Sequence, residues 1–497
     1  MTDGAAPRVL IVCHDVVGSR MAGPGIRAWH MAGVLAARHP VTLVAPRPID
    51  LRPGAFRCGD YRWGDPASLA AWLAAADVVV ANGFVLEAHP ELAAVAQPLA
   101  LDLYDPVLLE NLELLRAAPP ERRAERARVD RDLLGRQLAA GDFFLCATER
   151  QRDLYLGALM LAGRLAPDLV DADPLARALI DVAPFGLDAA PPIRSAPALR
   201  GVVPGIGADD PLLPWTGGLW DWLDPLTLID ALPQVAERHP NVRLVFLAGR
   251  HPGPAAEMRM PGQARERAAA LGLLGRHVFF YDEWVPYERR ADFLLEATLA
   301  VSLHRDHLET AYAAVRSRFL DHLWAGLPSV VSAGDAAADL VARHDLGLVM
   351  PPGDARAAAA TLIAALEDKA RLERWSANAR ELAARYTWER TLAPLARFCA
   401  APRTLGPRLM VDASRGARQD DEMRATMERE RGRLIHQLEA HWQLAAPPQG
   451  GLRGLAQRLA LRLLAPVLAE QREFNAAVLR TIYALTAPPS EPDDQGR

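Results

Sequence analysis

The chain has 497 residues, of which 51% are hydrophobic and 24% charged, and its formal net charge at pH 7 is −5. At roughly 100–200 residues per domain, this length indicates a globular protein of two or three domains. The acidic balance argues against nucleic acid as a partner. The four cysteines (Cys13, Cys58, Cys146 and Cys399) are far apart and match no zinc-site or Cys-x-x-Cys spacing, so we expect a reduced, cytoplasmic compartment.

Two further features exclude classes of protein. Lys369 is the only lysine and lies in a segment typical of an exposed helix or turn, which excludes a Schiff-base lysine and a P-loop. The first apolar run, Val9–Cys13, is too short for a signal sequence, and no uninterrupted apolar run approaches 18 residues. We therefore expect no membrane span.

Short apolar runs alternate with helical patterns, which is typical of parallel α/β units. The first series of predicted strands is Val9–His14, Val41–Ala45, Val78–Ala81, Leu99–Leu103 and Phe143–Ala147. The second series is Leu212–Thr216, Val242–Ala248, Val278–Tyr281, Leu299–Leu303, Ser329–Ser332 and Leu346–Met350. Two such series predict two Rossmann-like domains, 1–190 and 208–386, with the boundary in the proline- and glycine-rich stretch Asp188–Asp210.

The remainder of the chain has a helical pattern. We expect residues 387–400 to form a helix that crosses back to the first domain, and residues 401–497 to form a helical extension with a disordered end. Leucines at helical spacing with Arg453, Arg458 and Arg462 beside them give segment 452–485 two interpretations. It contacts an anionic membrane peripherally, or it packs on the catalytic core or on another subunit.

A glycine-rich loop joins the first predicted strand to the first helix. Gly23 and Gly25 let the backbone approach a ligand there, and the helix N-terminus offers unpaired N–H groups to a phosphate or a sugar hydroxyl. The alternative is an ordinary strand–helix turn. His14 and Asp15, just before this loop, either contact an acceptor or cap the turn.

A second glycine turn, Gly217-Gly218, follows the first strand of the second domain, where open α/β sheets bind ligands. Three tryptophans, Trp215, Trp220 and Trp222, surround it. They belong to the core, or some of them line a cleft.

The third segment combines a loop carboxylate, Glu309, with Arg316 and Arg318 at a helix start and Asp321 within that helix. Arginines at a helix N-terminus oppose the helix dipole, so this pair favours an anion. A diphosphate would accept bidentate hydrogen bonds from both guanidinium groups. The alternative is surface charge paired with nearby acids.

Together these segments resemble the retaining GT-B glycosyltransferases of family 4. The resemblance rests on Gly23–Arg27, on Gly217–Leu219 and on Asp321–Pro328, where Asp321 replaces the second glutamate of the family motif. Similarity to a bacterial polysaccharide-type subgroup extends to Asp102–Pro106, Cys146–Arg152 and Pro184–Gly186. In all, the similar region covers about residues 8–398.

The resemblance implies a nucleotide-diphosphate sugar bound by the second domain at an interdomain cleft. Asp321 would bind the ribose and Glu309 the donor sugar. The loop with Trp284 and Val285 would contact the base, and Gly23 and Gly25 the phosphate–sugar end. The acceptor-side residues would be His14, Asp15 and Asp105.

This sequence departs from the family in two respects. The family's two acidic residues usually lie eight positions apart, whereas Glu309 and Asp321 are twelve apart. The family's Arg…Lys pair after the second-domain glycine turn is missing, so the sequence predicts that Arg316 and Arg318 replace it, with Arg250 as a third candidate. With these organic cations, we expect neither a metal ion nor a cofactor.

The sequence therefore predicts a cytoplasmic enzyme, a glycosyltransferase that moves a sugar from a nucleotide-diphosphate sugar to a glycan or lipid-linked acceptor. The resemblance implies retention at the anomeric carbon and a place in bacterial surface polysaccharide synthesis. Two alternatives remain: a nucleotide-sugar epimerase of the same fold, and a catalytically inactive donor-binding or scaffold protein.

Overall fold

The computed structural model describes residues 5–247, 249 and 258–405. The N-terminal strands are β1 (Val9–Val12), β2 (Val41–Ala45), β3 (Arg57–Asp60), β4 (Val78–Asn82), β5 (Leu99–Asp102), β6 (Phe143–Cys146) and β7 (Ile180–Val182). They form one parallel sheet in the order β3-β2-β1-β4-β5-β6-β7. Every residue of β1 is buried, because helices cover both faces of a parallel sheet.

Helices connect these strands. They are α1 (Gly23–Ala36), α2 (Pro66–Ala74), α3 (Val85–Ala88), α4 (Val107–Leu114), α5 (Pro120–Ala140), α6 (Glu149–Leu161) and α7 (Pro167–Ala172), with a 3-10 turn at Pro90–Ala94.

The C-terminal strands are β8 (Leu212–Trp215), β9 (Arg243–Leu247), β10 (Val278–Tyr281), β11 (Ala300–Ser302), β12 (Ser329–Ser332) and β13 (Gly347–Met350). They form two parallel ladders, β10-β9-β8 and β11-β12-β13. A backbone hydrogen bond of 2.9 Å, from Thr298 N–H to the Leu212 carbonyl, joins the ladders beside β8 and β11. The resulting order is that of a doubly wound sheet, whose ligands bind at the carboxyl ends of its strands.

The C-terminal helices are α8 (Pro225–Arg238), α9 (Met260–Ala270), α10 (Arg290–Leu294), α11 (Leu308–Tyr312), α12 (Ser317–Trp324), α13 (Ala336–His344), α14 (Ala355–Glu367), α15 (Lys369–Ala383), α16 (Trp388–Thr391) and α17 (Ala393–Ala400), with a 3-10 turn at Tyr287–Arg289. None of the described helices combines the length and the apolar character that a membrane span requires.

The predicted helix over 387–400 is two helices instead of one. The chain breaks at Leu392 between α16 and α17, because Pro394 lacks the N–H that a continuous helix needs there. The second of these helices lies against the N-terminal sheet. Phe398 stacks on Phe143 of β6 with ring centroids 5.0 Å apart, and Arg397 pairs with Asp181 at 3.0 Å.

Contacts between the two sheets fix the geometry of the site. One apolar cluster runs from Val9 and Ile11 of β1 to Phe319 and Leu320 of α12. The Tyr104 hydroxyl donates to the Val315 carbonyl at 3.1 Å. Of the expected extension 401–497, residues 406–497 lie outside the described residues, and these include segment 452–485. Its contact with a membrane, with the catalytic core or with another subunit stays a prediction.

Candidate functional site

A cavity of about 1040 Å³ lies between the two Rossmann-like domains, a volume that suits a ligand larger than a monosaccharide. We call its lining from residues 11–185 the N-terminal wall and its lining from residues 220–318 the C-terminal wall. The cavity brings together seven of the residues predicted from the sequence: His14, Asp15, Gly23, Asp105, Glu309, Arg316 and Arg318.

Arg318, in the first turn of α12, is the central cation of the C-terminal wall. Its side chain is buried (8% exposed), and its Nη2 donates to the Gly218 carbonyl at 3.0 Å. Its Nη1 has no hydrogen-bond partner among the described residues. Burial and the neighbouring charge of Arg316 lower its pKa to about 9, so it stays cationic at neutral pH. A buried guanidinium without a carboxylate favours binding of an anion.

The glycine turn after β8 supports this guanidinium. Gly217 has φ +84°, which favours glycine, and a side chain there would begin about 3.4 Å from the Arg318 guanidinium. The turn is fixed to α12 from below, where the Thr216 hydroxyl is 2.9 Å from Nε2 of the buried His322. The sequence-predicted residues Gly217, Gly218 and Arg318 therefore form one unit.

Arg316 has a different environment from Arg318. Its Nη2 donates to Oε2 of Glu309 at 3.0 Å, and the Glu309 side chain is only 1% exposed. His307 Nδ1 lies 3.8 Å from the same carboxylate oxygen. Glu309 thus compensates the charge of Arg316 and orients it. Arg318 is then the arginine of the C-terminal wall that has no ion pair within the described residues.

The N-terminal wall has a buried ion pair of its own. Arg27 of α1 donates through Nε to Asp102 at 2.6 Å and through Nη2 to the Ala183 carbonyl at 2.9 Å. Its guanidinium carbon lies 4.5 Å from the centroid of the Tyr104 ring. Arg27 joins the carboxyl ends of β5 and β7 beneath the cavity.

Two carboxyl groups of this wall have strongly raised pKa values. Burial, together with the charge of Asp102, raises the pKa of Asp105 to about 7. Burial and the charges of Asp105 and Glu309 also raise the pKa of Glu110, on α4. Both groups thus favour the protonated form, in which a carboxyl can donate a hydrogen bond.

The tryptophans divide between the two interpretations offered by the sequence. Trp215 is fully buried against Phe246. Trp220 and Trp222 stack at a centroid distance of 5.4 Å and line the cavity.

The remaining predicted residues lie outside the cavity lining. A side chain at Gly25 would lie 2.1 Å from the Val16 carbonyl, so this glycine permits close packing of the loop. The Asp321 carboxylate accepts a hydrogen bond from Arg290 Nε at 3.2 Å. Val285, next to Trp284, packs with the apolar cluster that contains Phe279. Arg250 lies outside the described residues, and the ligand roles of these residues stay predictions.

Sequence reasoning missed several lining residues: Arg27 as an ion-pair partner, Glu110, and the aromatic pair Trp63 and Phe84. Trp63 left a usable signal, since it stands in a turn before Gly64-Asp65-Pro66 and outside any apolar run. Within the described part of the chain, no three His, Cys, Asp or Glu side chains are grouped as metal ligands.

Comparison with known proteins gives a family match within the second predicted domain. Residues 206–382, which contain the glycine turn, Glu309 and both arginines, match the family model described as Glycosyl transferases group 1. This region is similar to group 1 glycosyltransferase domains. The predicted glycosyltransferase is thereby confirmed, whereas family 4 and retention stay predictions. No curated protein sequence matches the chain.

Several solved structures share the fold of the whole described region. Sucrose-phosphate synthase from Thermosynechococcus elongatus is 17% identical, with a TM-score of 0.57 over 79% of this chain and 98% of its own. HepE of Anabaena in complex with UDP-glucose is 17% identical, with a TM-score of 0.56 over 79% and 98% of the two chains. WaaG, a glycosyltransferase of lipopolysaccharide biosynthesis, is 17% identical, with a TM-score of 0.54 over 80% and 100%. These similarities confirm the predicted GT-B fold around the group 1 domain.

Proposed function

We propose that this protein transfers a sugar from a nucleotide-diphosphate sugar to a glycan or lipid-linked acceptor, with retention, in bacterial surface polysaccharide synthesis. The observation that carries the donor assignment is Arg318, a buried cation without a carboxylate that lies on the Gly217-Gly218 turn and lines a cavity of about 1040 Å³. A diphosphate provides the oxygens that its guanidinium lacks. HepE of Anabaena, which shares the fold, was solved with UDP-glucose, a donor of this class.

The chemistry follows from charge. When the bond between the sugar and the diphosphate breaks, negative charge grows on the leaving oxygen. Arg318, which is already fixed by Gly218, stabilises that charge without reorganising. Arg316, held by Glu309, supplies a second oriented guanidinium at the start of α12. In this proposal the organic cations do the work that a metal ion does elsewhere, so excess chelator should leave transfer intact.

A thermal-shift panel of UDP-, GDP-, dTDP- and ADP-sugars tests donor binding, because a ligand that binds only the folded state raises the melting temperature by mass action. We expect one base to stabilise the protein. The same preparation is then incubated with that donor, with and without a mixture of candidate glycan acceptors, and the products are separated. Sugar transfer that requires acceptor supports the proposal. A converted donor sugar without acceptor would identify an epimerase, and binding without any product would identify an inactive binding protein.

A further inference from the structure

Trp63 is an aromatic side chain that the donor-binding account leaves unused. It lines the cavity and is 43% exposed, the only aromatic side chain among the exposed large apolar residues of the described chain. It belongs to none of the apolar clusters found within the described residues. Its ring contacts are instead with Phe84 and with the edge of the His89 ring, at centroid distances of 6.1 and 5.9 Å.

The loop that carries Trp63 is firmly anchored on both sides. The Tyr61 hydroxyl, two residues earlier, donates to the Cys13 carbonyl at 2.8 Å. Gly64, the next residue, has φ +78°, and its N–H donates to Nε2 of the fully buried His89 at 2.9 Å. Asp65 then caps helix α2. The indole therefore lies on a fixed backbone at the cavity.

A second ring extends this surface. Phe84, which follows β4, stacks on Trp63 with centroids 6.1 Å apart and planes at 26°. The ring of His14 meets the edge of Phe84 at 5.5 Å. Groups that form hydrogen bonds line the same wall of the cavity, among them Asp15 and Asn82. Flat apolar rings bordered by polar side chains match the chemistry of a pyranose, which has an apolar C–H face and a rim of hydroxyl groups.

We propose that Trp63, supported by Phe84, is the platform on which a saccharide unit of the acceptor stacks, so that the acceptor of this enzyme is recognised through a sugar ring. The inference rests on the proposed function, since it assigns the N-terminal wall to the acceptor and leaves the C-terminal wall to the diphosphate. It defines the class of acceptor as one with a saccharide unit at its reacting end.

The platform can be tested with the full-length protein labelled with 5-fluorotryptophan. The Trp63 signal in the ¹⁹F spectrum is assigned as the one that disappears in Trp63→Phe, and Trp72, on α2, is assigned likewise as an internal control. The protein, saturated with the nucleoside diphosphate that stabilises it best, is titrated with methyl β-glycosides of glucose, galactose and N-acetylglucosamine, and separately with geranyl phosphate. We expect at least one glycoside to move the Trp63 signal and leave the Trp72 signal in place.

Two results would overturn the platform. One is the absence of any Trp63 shift with all three glycosides while the nucleotide still binds. The other is a shift with geranyl phosphate alone, which would assign the rings to a lipid chain. If no nucleotide binds at all, the proposed function itself fails. The nucleotide titration reports that outcome, whereas the glycoside titrations report on the platform.

Kinetics provide the second readout, with the glycoside that moves the signal as acceptor. Loss of the indole contact in Trp63→Ala should raise the acceptor KM roughly tenfold. Trp63→Phe keeps an aromatic ring, so its acceptor KM should lie much closer to that of the wild type. The dissociation constant of the donor should be unchanged in both variants. Equal losses of donor and acceptor affinity would show a merely structural role and would contradict the proposal.

Discussion

On the N-terminal wall of the cavity the buried arginine, Arg27, has a carboxylate of its own in Asp102, whereas on the C-terminal wall Arg318 has none. Other ionisable groups that line the two walls also respond differently. Asp105 and Glu110 favour the protonated form more than free carboxyl groups do, because their pKa values are raised. Arg318 keeps its charge at neutral pH even with its lowered pKa.

This difference shows how one cavity can separate two ligands. The N-terminal wall offers carboxyl, amide and aromatic groups beside its arginines, which suits the hydroxyl groups and the apolar face of a sugar. On the C-terminal wall, Arg318 forms no ion pair within the described residues, so a bound anion would supply the charge that it lacks. Substitutions that change the charges or contacts of one wall and leave the other wall intact therefore test whether the two walls differ in this way.

The largest expected effect is on stability, at the compensated pair of the N-terminal wall. Arg27→Ala leaves Asp102 buried without a counter-ion and removes two hydrogen bonds to backbone carbonyls. We expect the free energy of unfolding, measured by urea denaturation, to fall by about 3–5 kcal/mol. The matched control is Arg131→Ala, an arginine that is exposed on α5 and should unfold like the wild type. A loss of less than about 1 kcal/mol for Arg27→Ala would mean that the pair does not hold this wall.

The next effect concerns pH and the carboxyl groups. The pKa of Asp105 is raised from its usual value near 3.9 to about 7. Between pH 4 and 7 the folded chain therefore keeps a proton on Asp105, whereas the unfolded chain releases it. The free energy of unfolding should therefore fall as pH rises from 4 to 7, by up to about 1.4 kcal/mol per pH unit for this one group. Asp105→Asn should flatten the profile, with Glu110 left to provide the remaining slope. Equal slopes of the unfolding free energy against pH for Asp105→Asn and the wild type would contradict the raised pKa of Asp105.

The smallest effect is at the glycine turn of the C-terminal wall. Gly217→Ala forces a side chain into a φ of +84° and against the Arg318 guanidinium, which should cost about 1–2 kcal/mol in stability. It should also weaken donor binding, since relief of the backbone strain at φ +84° would move the Gly218 carbonyl that accepts from Arg318. Gly23→Ala is the matched control for stability, because its added carbon has no neighbour within 4 Å among the described atoms. Equal melting temperatures for the two variants would show that Gly217 is an ordinary loop residue.

The sequence predicted the fold well where apolar runs are continuous. The runs that became β1 and β8 are almost wholly apolar, and the strands begin where predicted. It missed β3, whose sequence Arg-Cys-Gly-Asp is polar because an edge strand is partly exposed, and β7, which is only three residues long. It also missed α5, whose first half is highly charged, since a long helix that packs through few apolar residues has no clear periodicity.

For the site, the sequence predicted which side chains could bind an anion, but it did not predict which of them form ion pairs with one another. Two arginines at a helix start predicted an anion site, and the structure places both at the cavity. That Glu309 would pair with Arg316 and leave Arg318 alone depends on the turn between α11 and α12, which sequence spacing does not specify. Arg27 and Asp102 are 75 residues apart in the chain, so only the folded sheet brings them together.

The central claim, that Arg318 binds the diphosphate, is tested most directly by calorimetry. The nucleoside diphosphate that stabilises the wild type and its parent nucleoside are titrated into the wild type, Arg318→Ala and the surface control Arg131→Ala. We predict that Arg318→Ala weakens the diphosphate roughly 10- to 100-fold, as expected for lost charge-assisted hydrogen bonds, and leaves nucleoside affinity unchanged. Unchanged diphosphate affinity, or an equal loss for diphosphate and nucleoside, would contradict the account.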